Sequence, residues 1–187
     1  METKHIRLRS VEKSDFSLLY KWRNTESYRE LFSGRRNIIS TEEFELEYKR
    51  DAEKFKHIQF LVCLRTNGNG IGLIYSYNYV SVDGHVFVGV FMDEQFRRIG
   101  YGAEASILFI KHLFDMYPVH KISAEIYSYN SQSLSGSKSL GFVVEGEFRN
   151  HRFYKGRYWD VVRMALYREN TGKLDQVYKK IALKRVI

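Results

Sequence analysis

Apolar residues recur along this chain with two different periods, and the changes between them mark the elements. From His5 to Ser10, Ile6 and Leu8 alternate with Arg7 and Arg9, which predicts a strand. From Glu12 to Asn24 the period lengthens: Phe16, Leu19 and Trp22 fall three apart with Leu18 alongside, one broad face of a helix. The stretch "TESYRELFSGRRNI" that follows is polar, aromatic and broken by Gly34, so it reads as a loop or a short helix. "STEEFELEYKRDAEKF" is a second helix. Ser40 and Glu43 have the spacing of a capping box, glutamates lead and lysines trail as the helix dipole favours, and Phe44 and Tyr48 share a side.

The period then shortens to two. Runs at 57–65, 71–80 and 85–92, separated by the turns "TNGNG" and "SVDG", predict an antiparallel meander. In the middle run Ile71, Leu73, Tyr75, Tyr77 and Tyr79 are expected on one face. After Gly102 a helix takes over, with Phe109, Leu113 and Met116 as its apolar stripe, Leu108 beside it and Pro118 just past its end. "KISAEIYSY" is a strand, and "NSQSLSGSKSLGF" is a short helix with Asn130 at its cap and Gly141 near its exit. "FVVEGEFRN" and "RYWDVVRMALYRE" are two more strands, antiparallel across a loop from His151 to Gly156.

The order β-α-α-β-β-β-α-β-α-β-β predicts an α/β (α+β) fold, a mixed sheet of about seven strands with four helices against it. No linker or repeat divides it, so residues 1–170 form one domain. The tail 171–187 is basic and can add a short helix through Leu174, Val177, Tyr178 and Ile181. It either packs on the body or binds an acidic partner.

Composition narrows the function classes only a little. The 187 residues are 44% apolar and 28% charged, ordinary for a globular chain, and the 14 tyrosines and 13 phenylalanines suit an aromatic-lined cleft. The net charge of +8 attracts anions without choosing among nucleic acid, acidic protein and phosphorylated small molecules. No basic block of five or six residues appears, which leaves nucleic acid a minor alternative. The single cysteine, Cys63, sits in the apolar run "FLVCL" and reads as core. The N-terminus carries no apolar leader and no run reaches membrane-spanning length, so a cytoplasmic protein without membrane contact is expected. No metal site is expected.

The chemistry concentrates at "DEQFRRIGYGAEASILFIKHLF". Arg97, Arg98, Gly100 and Gly102 stand between a strand and a helix. A helix N-terminus exposes unpaired N–H groups and favours negative charge, glycines let the backbone approach a bound group, and arginines add charge-assisted hydrogen bonds. That is a phosphate cradle. It is neither the lysine-containing P-loop nor the dinucleotide fingerprint, because no G-K-S/T and no third glycine follow.

Arg97-Arg98-Ile99-Gly100-Tyr101-Gly102 resembles the Q/R-x-x-G-x-G/A pyrophosphate loop of the GNAT superfamily of N-acetyltransferases, with the preceding strand "HVFVGVF" and the following helix in the family's order. Asn130 and Ser133, followed by Gly141-Phe142, resemble the N-x-x-S…G-F element of the branch holding the ribosomal-protein alanine and spermidine N-acetyltransferases. The opening "IRLRSVEKSDFSLLYKWRN" and the final "GRYWDVVRMAL", with Asp160, extend the resemblance over about residues 5–168.

The resemblance implies an acetyl-CoA-dependent transferase. Arg97, Arg98, Ile99, Gly100, Tyr101 and Gly102 would hold the pyrophosphate. The strand from Gly89 to Met92, including Phe91 and Met92, would meet the pantetheine arm where it splays from Lys121–Tyr127. Asn130 and Ser133 would lie beside the arm and the departing thiol. Acyl transfer to an amine needs a proton acceptor and a donor for the carbonyl oxygen, such as the N–H of Val90 or Phe91, but no protein nucleophile. Many members of the branch place a glutamate two residues before the central glycine, and Phe87 stands there. Asp83 and His85 stand near the strand entrance and Glu125 on the neighbouring strand; of these His85 and Glu125 are the base candidates, with Ser133 as proton donor and ordered water as an alternative.

The acceptor is expected between 24–39 and 150–156, with Trp22, Arg29, Arg35, Arg36 and Arg152 as binding residues on a rim more positive than negative. The resemblance and this charge point to a protein or peptide N-terminus, such as that of a ribosomal protein. The alternatives are a small-molecule amine (amino sugar, nucleotide sugar, antibiotic or polyamine) and a basic RNA- or ribosome-binding module. A homodimer is left open.

Overall fold

The computed structural model describes residues 1–32, 36–54 and 56–182. Seven strands form one sheet: β1 (Ile6–Arg9), β2 (Lys56–Leu64), β3 (Gly70–Val80), β4 (His85–Met92), β5 (Lys121–Tyr127), β6 (Val143–Tyr154) and β7 (Arg157–Tyr167), in the spatial order β1-β2-β3-β4-β5-β7-β6. Every neighbouring pair is antiparallel except β4 and β5. The helices are α1 (Phe16–Arg23), α2 (Glu26–Leu31), α3 (Thr41–Lys54), α4 (Tyr101–Met116), α5 (Ser131–Ser139) and α6 (Gly172–Ala182). Two of them, α2 and α6, exceed the four expected. They occupy the ragged stretch after Asn24 and the basic tail. No helix among the described residues is long and apolar enough to cross a membrane.

The sheet separates two cores. On one face α4 buries Ile107, Phe109, Ile110 and Leu113 against Ile6, Val62, Ile74, Val86, Ile122 and Met164. Met116, expected in that stripe, is 67% exposed, because the buried arc runs instead through Ile107, Leu108 and Ile110. The tail helix α6 belongs to this layer: Leu174 is buried, Val177, Tyr178 and Ile181 pack behind it, and Lys111 of α4 donates to Asp175 at 3.1 Å. On the other face Leu19 and Trp22 of α1 and Phe44 of α3 close over Leu61, Leu73 and Phe91. The capping box of α3 forms as its spacing predicts, with Glu43 N–H donating to Ser40 Oγ and Ser40 N–H to Glu43 Oε2.

Two irregularities correct the strand reading. Ile71, Leu73, Tyr75, Tyr77 and Tyr79 do not share a face. The β2–β3 register shifts between Val62 and Cys63, and the β3–β4 register shifts between Tyr77 and Val80 around Asn78, whose φ is 49°. A one-residue slip moves a side chain through the sheet, so Ile71 and Tyr79 join the α4 side while Leu73 joins the α1–α3 side. The loop expected from His151 is also shorter. β6 runs on to Tyr154, and Lys155 and Gly156, at φ 48° and 79°, make a two-residue turn into β7. Within β6 two extra residues bulge between the pairs Phe148↔Val161 and Arg152↔Trp159, with Asn150 at φ 48° and its N–H on Asp160 Oδ1 at 2.8 Å.

Candidate active site

The two parallel strands pair over only three positions, His85↔Lys121, Val86↔Ile122 and Phe87↔Ser123. Beyond them β4 stays with β3 and β5 with β7, so the strands part and a cleft of about 560 Å³ opens between them. The free edge of β4 can be assigned. Asp93 N–H donates to Ile71 O at 2.9 Å, so the odd-numbered residues of β4 turn their amides to β3. Val88, Val90 and Met92 therefore direct theirs into the gap. Phe91, expected at the cofactor, does not: its amide faces β3, and its side chain is buried at 3% exposure among Trp22, Tyr28 and Phe32.

At one mouth of the cleft stands the start of α4. Gly100 is its N-cap residue, at φ 100°, and supplies no side-chain cap, so the N–H groups of the first turn keep no side-chain partner there. A Cβ built on Gly100 would meet no atom within 4 Å, while one on Gly102 would come 3.3 Å from Met92 Cγ. Arg98 is exposed and held at φ 63°, a conformation that non-glycine residues adopt rarely and that clusters at ligand loops. Ile99 is exposed beside it. Glu104, in the same first turn, is drawn away by Thr3 Oγ1 and by His5 Nδ1 at 3.2 Å. The arrangement fits an anionic diphosphate: open space, backbone donors and the exposed guanidinium of Arg98.

Arg97 departs from its expected role. Its guanidinium turns inward, with Nε donating to Met92 O at 2.8 Å and Nη2 to Ser27 Oγ at 3.0 Å. Met92 lines the cleft with its amide toward the gap, while its carbonyl is taken by Arg97 and its side chain packs against Gly72 and Gly102. Across the cleft, Asn130 caps α5 by accepting from Ser133 N–H at 3.2 Å. Both residues line the cleft, with Ser133 half-buried.

The opposite mouth is aromatic. Tyr75, Tyr77, Tyr127 and Phe32 line it with Glu125, His151 and Arg152. None of the three tyrosines belongs to a motif. The signal available in the sequence was the pair Tyr75-x-Tyr77 opposite a lone strand glycine. Burial raises the pKa of each, so all three are neutral phenols, each with a proton to offer a bound group. Glu125 lies two residues past the last parallel pair and accepts from Arg163 Nη2 at 2.6 Å and Nε at 3.2 Å. Among the described residues lining the cleft it is the one carboxylate. The β6 bulge brings Arg152 inward, where its guanidinium sits 4.0 Å from the Tyr127 ring centroid and donates to Arg29 O at 3.4 Å.

Other expected site residues lie elsewhere. His85 is on the closed part of the β4–β5 seam, its Nε2 at 2.8 Å from Ser123 Oγ, and it lies four strand steps from Gly89, about 13 Å. A base must reach its proton, so His85 is not placed for that task. Trp22 is 1% exposed and donates its indole N–H to Asp93 Oδ2 at 2.7 Å, which makes it a packing residue rather than an acceptor contact. Arg29 donates to Thr25 O and Arg36 O and braces α2, and Arg36 stands 5.6 Å from the Tyr154 ring. Arg35 lies outside the described residues. Phe87, where many relatives have glutamate, is 9% exposed and packs on Tyr77 and His85.

Comparison with known proteins bears on the family and the fold. Residues 5–143 match the family model described as an acetyltransferase (GNAT) domain. The SPbeta prophage-derived uncharacterized N-acetyltransferase YokL of Bacillus subtilis is 24% identical over 124 residues, 66% of this chain and 68% of its own. The spermidine N-acetyltransferase of Vibrio cholerae, solved with CoA and spermine, superposes with a TM-score of 0.81 at 20% identity, covering 89% of this chain and 97% of that one. RimL, a ribosomal L7/L12 alpha-N-protein acetyltransferase solved with CoA, gives 0.78 at 15% identity, covering 88% and 95%.

Proposed function

This chain belongs to the GNAT acetyltransferase family, and on that footing we propose that its acceptor is a single primary amine, foremost the N-terminus of a peptide or protein. The family makes it an acyltransferase with acetyl-CoA as cosubstrate and an amine as acceptor. Acetyl-CoA supplies an activated acyl group on a thioester. The chain's own residues bind it, hold the reacting groups together and move protons.

The backbone from Arg98 to Gly102 and the first turn of α4 hold the pyrophosphate, and the Arg98 side chain adds charge. Asn130 and Ser133 flank the pantetheine arm from α5. Val90 directs its N–H into the gap, where it donates to the carbonyl oxygen as negative charge builds on it. The incoming ammonium must lose a proton before it attacks, and Glu125 takes it directly or through water. Ser133, or water beside it, returns a proton to the departing thiolate.

One observation carries the choice of acceptor. Glu125 is the sole carboxylate among the described cleft-lining residues, and Arg163 already shares it, while Arg152 stands nearby. A polyamine presents several ammonium groups and needs several carboxylates; a peptide N-terminus presents one. Arg152 gives the second reading its support, a small-molecule amine that carries an anionic group such as a sugar phosphate.

Free-thiol release from acetyl-CoA over a panel of acceptors tests the proposal. The panel holds peptides beginning with alanine or serine, amino-sugar nucleotides, aminoglycosides and polyamines. We expect the highest kcat/KM with a peptide. A polyamine that outperforms every neutral or anionic acceptor refutes the proposal, and a preference for the amino-sugar nucleotide selects the second reading.

A further inference from the structure

Arg97 opens the glycine loop, where a guanidinium facing outward would add charge for a phosphate. It joins two other elements, β4 and α2, instead. Nε holds the carbonyl of Met92, the last residue of β4, on the strand edge that faces the cleft. Nη2 holds Ser27 Oγ, a buried hydroxyl in the first turn of α2. Between these bonds the guanidinium carbon stands 5.7 Å from the Phe91 ring centroid.

From there the contacts run on to the acceptor side. Phe91 packs on Tyr28 at 4.9 Å and on Phe32 at 5.6 Å, and Phe32 meets Tyr75 edge-on at 5.2 Å. Tyr75 lies against Gly89, next to the Val90 amide. A displacement of the loop at Arg97 therefore pulls on the end of β4 and on α2 together. Only a planar fork reaches both acceptors at once; a lysine is a point donor.

We propose that Arg97 is a positioning residue that couples the glycine loop to the acceptor site through Met92 and Ser27, and that its side chain is not a phosphate ligand. The proposal rests on the reading of this cleft as the acetyl-transfer site.

Three variants, Ser27→Ala, Arg97→Lys and the double variant, test it by calorimetric titration with CoA, by steady-state kinetics in both substrates and by thermal melting. Ser27 touches the loop only through the Arg97 side chain and is not among the described residues lining the cleft, so Ser27→Ala should leave CoA affinity within about twofold and raise acceptor KM roughly three- to tenfold, the loss expected for one buried hydrogen bond. Arg97→Lys should keep CoA affinity and reproduce the shift in acceptor KM. The double variant should be no worse than Arg97→Lys alone, since both break the same link. A general loss of stability would move the melting temperature and both KM values together, and that result overturns the proposal. So does a fall in CoA affinity of about tenfold in Arg97→Lys with acceptor KM unmoved, because it returns the side chain to the phosphates. A wild-type protein that melts cooperatively but neither binds CoA nor releases thiol removes the acetyl-transfer reading itself, and the proposal with it.

Discussion

The ring of Tyr75 lies directly against the main chain of Gly89: a Cβ at position 89 would fall 3.0 Å from Cζ and 3.1 Å from the hydroxyl oxygen. The two residues are register partners on neighbouring strands, and Tyr75 is also held by the edge of Phe32. Glycine at 89 is thus what lets an aromatic wall stand beside the free edge of β4. Gly89→Ala should push the ring out of place, destabilise the fold by about 1–3 kcal/mol and lower kcat by about tenfold. Urea denaturation and thiol-release kinetics on the same preparation check both numbers.

Gly100 makes the opposite case. A side chain there has room, but the backbone at φ 100° resists one. Gly100→Val should cost about 1–2 kcal/mol in stability from conformation alone and weaken CoA binding at least tenfold as the loop relaxes. Calorimetry with CoA separates the two effects. Undiminished affinity in a folded variant would show that the turn serves the fold only.

The histidines give a pH test with a definite sign. Burial pulls His85 below the ordinary imidazole value, and Lys121 adds to the shift; burial also lowers His112. Both are held neutral when folded and take up protons more readily when unfolded. Their contribution is present above the unfolded value of about 6.5 and is lost as pH falls through the folded values. The urea midpoint should therefore drop between about pH 7.5 and pH 5, and His85→Gln should reduce that drop. The same variant should leave the shape of the kcat/KM pH profile unchanged, since His85 stands outside the cleft.

Arg23 is 2% exposed and donates to Glu47 through Nε at 2.8 Å and Nη2 at 3.2 Å, and to Asn37 O at 3.2 Å. It ties α1 to α3 and to the segment before α3. Arg23→Met leaves the Glu47 carboxylate without this guanidinium and should cost about 3–5 kcal/mol, read as a fall in the denaturation midpoint.

How much of this was legible in the sequence depended on range. Local signals were sound: the capping box at Ser40 and Glu43, the meander turns and the entry to α4 all act over a few residues. The faces of β3 were misread because alternation holds only while the register does, and the slips at Val62/Cys63 and Tyr77/Val80 arise from pairing with other strands. Trp22 and Arg97 were placed at the site by their motifs, yet Asp93 and Ser27 draw them inward, contacts that span 71 and 70 residues. Tyr127 becomes a site residue only because β5 leaves β4 after Ser123, and no residue in β5 announces that departure.

That departure has a mechanical consequence. With three register pairs between them, β1–β4 and β5–β7 are two antiparallel plates of one sheet that share a short seam at His85–Phe87. Helix α4 lies beneath both plates, its residues packed on Val86 from one and on Ile122 and Met164 from the other. A seam this short over a shared helix would let a rotation of a few degrees widen or narrow the mouth without breaking a pair inside either half. Amide exchange should register this as a gradient, slow at Val86 and faster at Val88 and Val90, which collapses when a ligand wedges the plates at one angle.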